Sequence, residues 1–234
     1  MKKHYEAMKK AGASLAFFAF ISVVLVATTN SLTKHKIEEN QAKMLLKALN
    51  QIAPESSYDN DLANSKIIIE PTESSFSHAT PVYLATMQGK PVTAIFEVTT
   101  LKGYSGAITL LLGINANDKS VKGLRVVKHH ETPGLGDKME IRKTDWVLGF
   151  NGKSIGNPDI EHWQVKKDGG DFDQFTGATI TPRAIVNAAR STLLYAQENM
   201  DGLFMLKPEK LTKQQIKQKS KEKLKTNNKL KESE

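Results

Sequence analysis

The sequence predicts an α+β protein: a single N-terminal transmembrane helix, then a domain with a mixed or antiparallel sheet and packed helices. Three observations carry that prediction. Residues 11–33, AGASLAFFAFISVVLVATTNSLT, contain no charged side chain. Between residues 66 and 128 several short apolar runs are separated by turn residues. From residue 180 onward comes the clearest helical pattern in the chain. Strands in succession followed by a helix, without strand–helix alternation, favour segregated layers over a parallel sheet.

The 234 residues give room for one domain of ordinary size plus appendages. There is no cysteine, which excludes disulfides, thiol chemistry and thiolate-held zinc or iron–sulfur clusters but leaves the compartment open. The formal charge of +8 is unevenly spread. Residues 207–234 hold ten lysines against four glutamates, which leaves about +2 for everything else. A nucleic-acid-binding domain would carry its basic face within the fold, with aromatics interleaved for single strands. Here the basicity sits in a tail, so no nucleic-acid partner is expected; a module binding through that tail would show strong salt dependence.

Residues 1–10 carry four lysines and one glutamate ahead of the apolar run and form a short cytoplasmic N-terminus. At about 1.5 Å per residue, 11–33 is long enough to cross a hydrocarbon core of roughly 30 Å. A cleaved export signal has the same basic start and apolar core. Against it, Leu25-Val26-Ala27 places a large residue where processing wants a small one. Lysines on the two sides of the span are tied in number, so orientation rests on Lys9 and Lys10 abutting it, which puts the bulk of the chain outside. Residues 34–54 read as a helix leaving the membrane, with Ile37, Met44, Leu45, Ala48, Leu49 and Ile52 as a stripe and Pro54 as the stop. Together with the polar stretch broken by Pro71, they make 34–79 a stalk and connecting region.

The domain follows over residues 80–206. KIIIE at 66–70 suggests one short strand before it. Runs 82–87 and 92–100 flank the turn Gln88-Gly89-Lys90-Pro91. Run 107–114 is apolar enough for a central strand, and 121–128 keeps partial alternation. ETPGLGDKM, 131–139, is an irregular loop by its proline and glycines. The segment 155–167, around IEHWQVKK, is expected to add strand. Beyond residue 206 the lysine-rich tail lacks core-forming residues and reads as solvated helix or flexible chain.

FTGAT, 175–179, leads straight into the helix. Thr181 is expected as N-cap and Pro182 as first helical residue. A loop held against a helix N-terminus suits an anion, although many surface turns have the same composition. His129 and His130 invite a metal reading, but neighbours on a strand point to opposite faces and no carboxylate cluster accompanies them, so no metal is expected. No acid–base constellation marks catalytic residues. Trp146 and Phe150 are core candidates before they are site candidates. Tyr104, between glycines, is the reverse.

Taken in order, GYSGAITLLLGI, HHETPGLGDK, DWVLGFNGK and DFDQFTGATIT after an N-terminal anchor resemble the FMN-binding domain of the G subunit of Rnf-type ion-translocating electron transport complexes. The C subunit of sodium-translocating NADH:quinone oxidoreductase shares that domain and is the nearest alternative. The resemblance spans roughly residues 80–205.

It implies covalent FMN, carried as a phosphoester on the last threonine of the [ST]-G-A-T motif, here Thr179. Asp173, Thr176, Gly177 and Ala178 are the matching motif positions, read by a separate flavin transferase. Glu131, Thr132, Leu135 and Gly136 match the flavin-side loop, where amides around Gly134 and Gly136 are expected to reach ring carbonyls and Leu135 to cover a ring face. Arg183 is a further cation for the phosphate. The implied role is an electron carrier in the cytoplasmic membrane, its domain on the periplasmic or extracellular side. It would work among other membrane and redox subunits that couple ferredoxin–NAD electron transfer to Na+ or H+ movement. A membrane-anchored interaction protein with an unmodified motif is the alternative of a different kind.

Overall fold

A computed structural model describes residues 2–70, 76 and 78–206. The 207–234 tail and the break at Pro71 lie outside the described residues. Contacts divide the chain into two units, Met1–Lys47 and Ala48–Glu234.

The first unit is helix α1, Lys2–Ile52, whose final turn belongs to the second. The anchor and the helix expected after it are thus one continuous element, which stops two residues before Pro54. From Gly12 onward it is long and apolar enough to cross a membrane, with a mean hydropathy of 2.0 over its most apolar stretch. The hydroxyls of Ser22, Thr28, Thr29 and Thr33 donate to carbonyls four residues back at 2.7–2.9 Å. Polar side chains on a lipid-facing helix are satisfied within their own backbone in this way. Of the stripe read from the sequence, Ile37 and Met44 are exposed, while Leu49 and Ile52 are buried.

Among the described residues of the second unit five strands form one antiparallel meander in chain order: β1 (Ile67–Ile69), β2 (Thr80–Met87), β3 (Lys90–Gly103), β4 (Gly106–Asn115) and β5 (Val121–Lys128). The mixed alternative is thereby resolved. The β2–β3 connection is a two-residue loop, Gln88-Gly89, with φ of 51° and 72°. Positive φ at both central residues matches the twist of the flanking strands. Helix α2, Ile180–Met205, packs mainly on β3 and β4. Its Ile185, Val186, Ala189, Leu193 and Ala196 join Ala94, Phe96, Val98, Leu110, Leu112 and Ile114 in the main core.

The opposite sheet face takes the end of α1. Gly113 and Gly123 are paired across β4 and β5; a Cβ on Gly113 would collide with Ile52 Cγ2, whereas one on Gly123 would rest against Ile52 at 3.5 Å, an ordinary contact. Gly113 therefore opens the slot that Ile52 fills. Beside it Arg125 Nε donates to Gln51 Oε1 at 3.0 Å.

Residues 155–167 do not form the expected strand. They contain short 3₁₀ turns at Ile160–His162 and at Lys166–Asp168, the second just overlapping the run's end. Trp163 and Val165 are both buried, which imitates period-two alternation. Their partners, however, are an aromatic cluster and one bridge, not a strand: Trp163 lies 4.9 Å from Phe172 and 6.3 Å from Phe150, and Val165 pairs only with Phe172.

Candidate functional site

Two loops of the same design meet at the start of α2. In Phe175-Thr176-Gly177-Ala178 the Ala178 N–H donates to Phe175 O at 3.0 Å, and Gly177 has φ 81°. In Thr132-Pro133-Gly134-Leu135 the Leu135 N–H donates to Thr132 O at 3.1 Å, and Gly134 again has φ 81°. Positive φ at the third residue is what a type II turn requires, and proline at the second position pre-sets the other half. The loops come close enough that a Cβ on Gly177 would reach Leu135 Cδ2 at 3.6 Å.

Between them is a cavity of about 480 Å³. One wall is Gly177, Ala178, Thr179 and Ile180; a second is Glu131, Thr132, Leu135 and Gly136. Tyr104, exposed at the two-residue β3–β4 turn, and Lys167 complete it. The structure thus brings together seven of the nine residues singled out from the sequence. Thr176 is exposed on the turn and Asp173 stands apart. The Asp173 carboxylate pairs with Lys166 at 2.6 Å, and its carbonyl accepts from the Trp146 indole N–H at 2.8 Å.

Glu131 ties the walls together. It is 5% exposed. Its Oε1 accepts the Ser105 N–H at 2.9 Å, and its Oε2 accepts the Thr181 hydroxyl at 2.5 Å. Thr181 is therefore a buried tether and not the helix cap expected of it: α2 begins at Ile180, with Thr179 in the cap position. Pro182 is the third helical residue, still within the first turn where a missing N–H is harmless. His129 Nδ1 accepts the Glu131 N–H at 3.1 Å, which leaves Nε2 to donate to Glu140 Oε1, also at 3.1 Å.

Two expectations for the polar groups change. The Gly134 N–H donates to Asp137 Oδ1 at 2.7 Å and the Gly136 N–H to Thr132 O at 3.1 Å, so both amides are engaged in holding the loop. Arg183 is held by Asp168 through two hydrogen bonds. That guanidinium keeps the Asp168 carboxyl below the usual carboxylate range. Trp146 and Phe150 pack in the aromatic core, with Trp146 5.0 Å from Phe175.

Lys167 and Ile180 were not singled out from the sequence. Expecting a strand over 155–167 hid the first, although Gly169-Gly170 just after it signals a turn. The second stands one residue ahead of the expected cap, Thr181.

A family model described as the FMN-binding domain matches residues 103–194, and one described as the RnfG N-terminal region matches residues 1–52. The G subunit of the ion-translocating oxidoreductase complex of Escherichia coli K12 is 52% identical over 192 residues, covering 81% of this chain and 91% of that protein. The corresponding G subunit of Vibrio parahaemolyticus is 45% identical over 197 residues, 84% of this chain and 93% of the relative. The chain belongs to the family of ion-translocating oxidoreductase complex G subunits. The crystal structure of Shewanella oneidensis NqrC is 20% identical, with a TM-score of 0.44 over 66% of this chain and 78% of that one. Every residue lining the cavity of this G-subunit family member falls inside the matched FMN-binding region, and FMN is its cofactor.

Proposed function

We propose that this chain is the electron-carrying G subunit of a membrane ion-translocating oxidoreductase complex, with FMN joined to Thr179 by a phosphoester bond. The observation that carries the reading is the position of Thr179, at the cap of α2 and in the wall of the cavity.

The residues present fit a flavin nucleotide. The cavity lies within the roughly 300–1,000 Å³ usual for small-molecule sites. The first turn of a helix leaves N–H groups without intrahelical acceptors and carries partial positive charge. In α2 these belong to Ile180 and Thr181, since Pro182 has none and the Arg183 N–H reaches Thr179 O at 3.2 Å. A phosphate on Thr179 would lie beside them, with Lys167 as the adjacent cation. Gly177 and Ala178 leave space ahead of the hydroxyl, and Tyr104, Leu135 and Ile180 offer apolar surface to a ring. Bound flavin supplies the capacity to accept and pass electrons; the protein supplies attachment, orientation and electrostatics. A covalent link frees the carrier from retaining its cofactor by equilibrium affinity.

α1 anchors the chain as a single pass in the cytoplasmic membrane with the domain outside. One helix encloses no path for an ion, so other membrane subunits supply it, coupling ferredoxin–NAD electron transfer to Na+ or H+ movement. A separate flavin transferase performs the attachment. High identity over most of the chain to proteins named as G subunits favours this role over the C subunit of the quinone reductase.

The test is intact mass after denaturation of protein matured beside its transferase. One FMN per chain is expected, with none on Thr179→Ala at an unchanged thermal transition. Denaturation-resistant flavin on Thr179→Ala would overturn the assignment.

A further inference from the structure

Glu131 is a buried carboxylate in the wall of the cofactor cavity, and both of its oxygens are fixed by donors from different elements. Ser105, in the β3–β4 turn, gives a backbone N–H to Oε1, and Thr181, in the first turn of α2, gives its hydroxyl to Oε2. Two glycines crowd it. A Cβ on Gly136 would lie 2.7 Å from Glu131 Cβ and 2.8 Å from Oε2, and one on Gly103 would lie 2.9 Å from Oε1. Among the described residues it forms no ion pair: Lys143 pairs with Asp137, and His129 turns its Nε2 to Glu140.

A buried charge is costly unless hydrogen-bonded. A neutral glutamine could make both contacts here, because a threonine hydroxyl accepts as readily as it donates. Geometry alone therefore does not call for an acid. What the acid adds over the amide is the capacity to carry negative charge, held by the Ser105 N–H and the Thr181 hydroxyl in the cavity wall, in a region where charges act more strongly than in water.

We propose that Glu131 is a positioning residue that sets the reduction potential of the flavin in this cavity through its charge, making the cofactor harder to reduce. The inference rests on the FMN reading above. Thr181 and Ser105 fix the distance at which the charge acts, and Gly136 and Gly103 admit the carboxylate to the wall.

The experiment is a redox titration of the full flavin-loaded chain followed by absorbance, on the native protein, Glu131→Gln and Glu131→Asp. The two variants separate charge from shape. Glu131→Gln keeps the shape and removes the charge, and is expected to shift the equilibrium with a reference dye on the order of tenfold toward reduced flavin. Glu131→Asp keeps the charge on a shorter arm and is expected to stay close to the native midpoint. The reverse order, a silent Glu131→Gln and a displaced Glu131→Asp, would show that only shape matters and overturn the proposal. Loss of flavin or of folding in both variants would assign Glu131 a structural role and overturn it equally. Intact mass on the same samples keeps the two readings apart: flavin bound without a covalent bond sinks the Thr179 ester yet still reports on Glu131.

Discussion

Arg183 grips Asp168 with two parallel hydrogen bonds, Nε to Oδ2 at 2.6 Å and Nη2 to Oδ1 at 2.8 Å. The pair pins the turn Lys166–Asp168 to the first turn of α2. It commits the arginine elsewhere and carries Lys167 to the cavity.

Lys167→Ala is therefore expected to slow FMN loading roughly tenfold, the scale of one charge-assisted contact, and to weaken the salt dependence of loading. Arg183→Ala loosens the turn that carries Lys167 without removing the lysine, so it should slow loading by less than Lys167→Ala does. Time courses of attached flavin measured with purified transferase check both, and an arginine effect larger than the lysine effect would contradict the assignment.

The two glycines of the flavin-side loop should fail differently. At Gly134 a Cβ meets nothing within 4 Å, but φ is 81°, so Gly134→Ala costs about 1–2 kcal/mol of backbone strain and spares loading. At Gly136 a Cβ meets Glu131 and Thr181, so Gly136→Ala costs about 1–3 kcal/mol by overpacking and lowers loading as well. Denaturant midpoints with flavin content distinguish them.

Trp163 is fully buried, with its indole N–H donating to Ser154 O at 3.2 Å. Trp163→Ala is expected to cost about 3–5 kcal/mol, a large share of a typical domain's stability. Chemical denaturation reads this directly. A loss under about 1 kcal/mol would show that the aromatic cluster is not the core of the 129–179 region.

Acid should destabilise the domain through two depressed carboxylates. Arg183 lowers Asp168; Glu140 is lowered chiefly by Arg142, with burial opposing and His129 assisting. A carboxyl whose folded pKa is depressed adds stability above its ordinary value, about 4, and loses it as pH falls through the lower folded value. Melting temperature should thus hold from neutral pH to about pH 5 and drop below about pH 4. The drop should be shallower in Asp168→Asn. Because both pairs are near the surface, the effect is small.

Most of the sheet was legible because its signals are local. The runs at 66–70, 82–87, 92–100, 107–114 and 121–128 each match a strand, and Gln88-Gly89 announces its hairpin. The anchor is legible from the absence of charge. What stayed hidden depends on distant partners. Thr181 reads as a cap until Glu131, fifty residues earlier, takes its hydroxyl. Trp163 and Val165 imitate a strand because aromatic packing buries alternate residues as well as a sheet does. Arg183 looks free for a phosphate until Asp168 folds back on it. Seven of the nine site positions converge because two turns with interpretable glycines carry them, whereas Lys167 is delivered by a segment without periodic signal.

The central claim is the position of one ester, and tryptic peptide mapping of the mature protein tests it most directly. The peptide of residues 168–183 contains Thr176, Thr179 and Thr181, so fragmentation can tell the three hydroxyls apart. The expected result is the FMN mass on Thr179 alone. Flavin on Thr176 or Thr181, or an unmodified peptide from protein matured beside its transferase, would contradict the account.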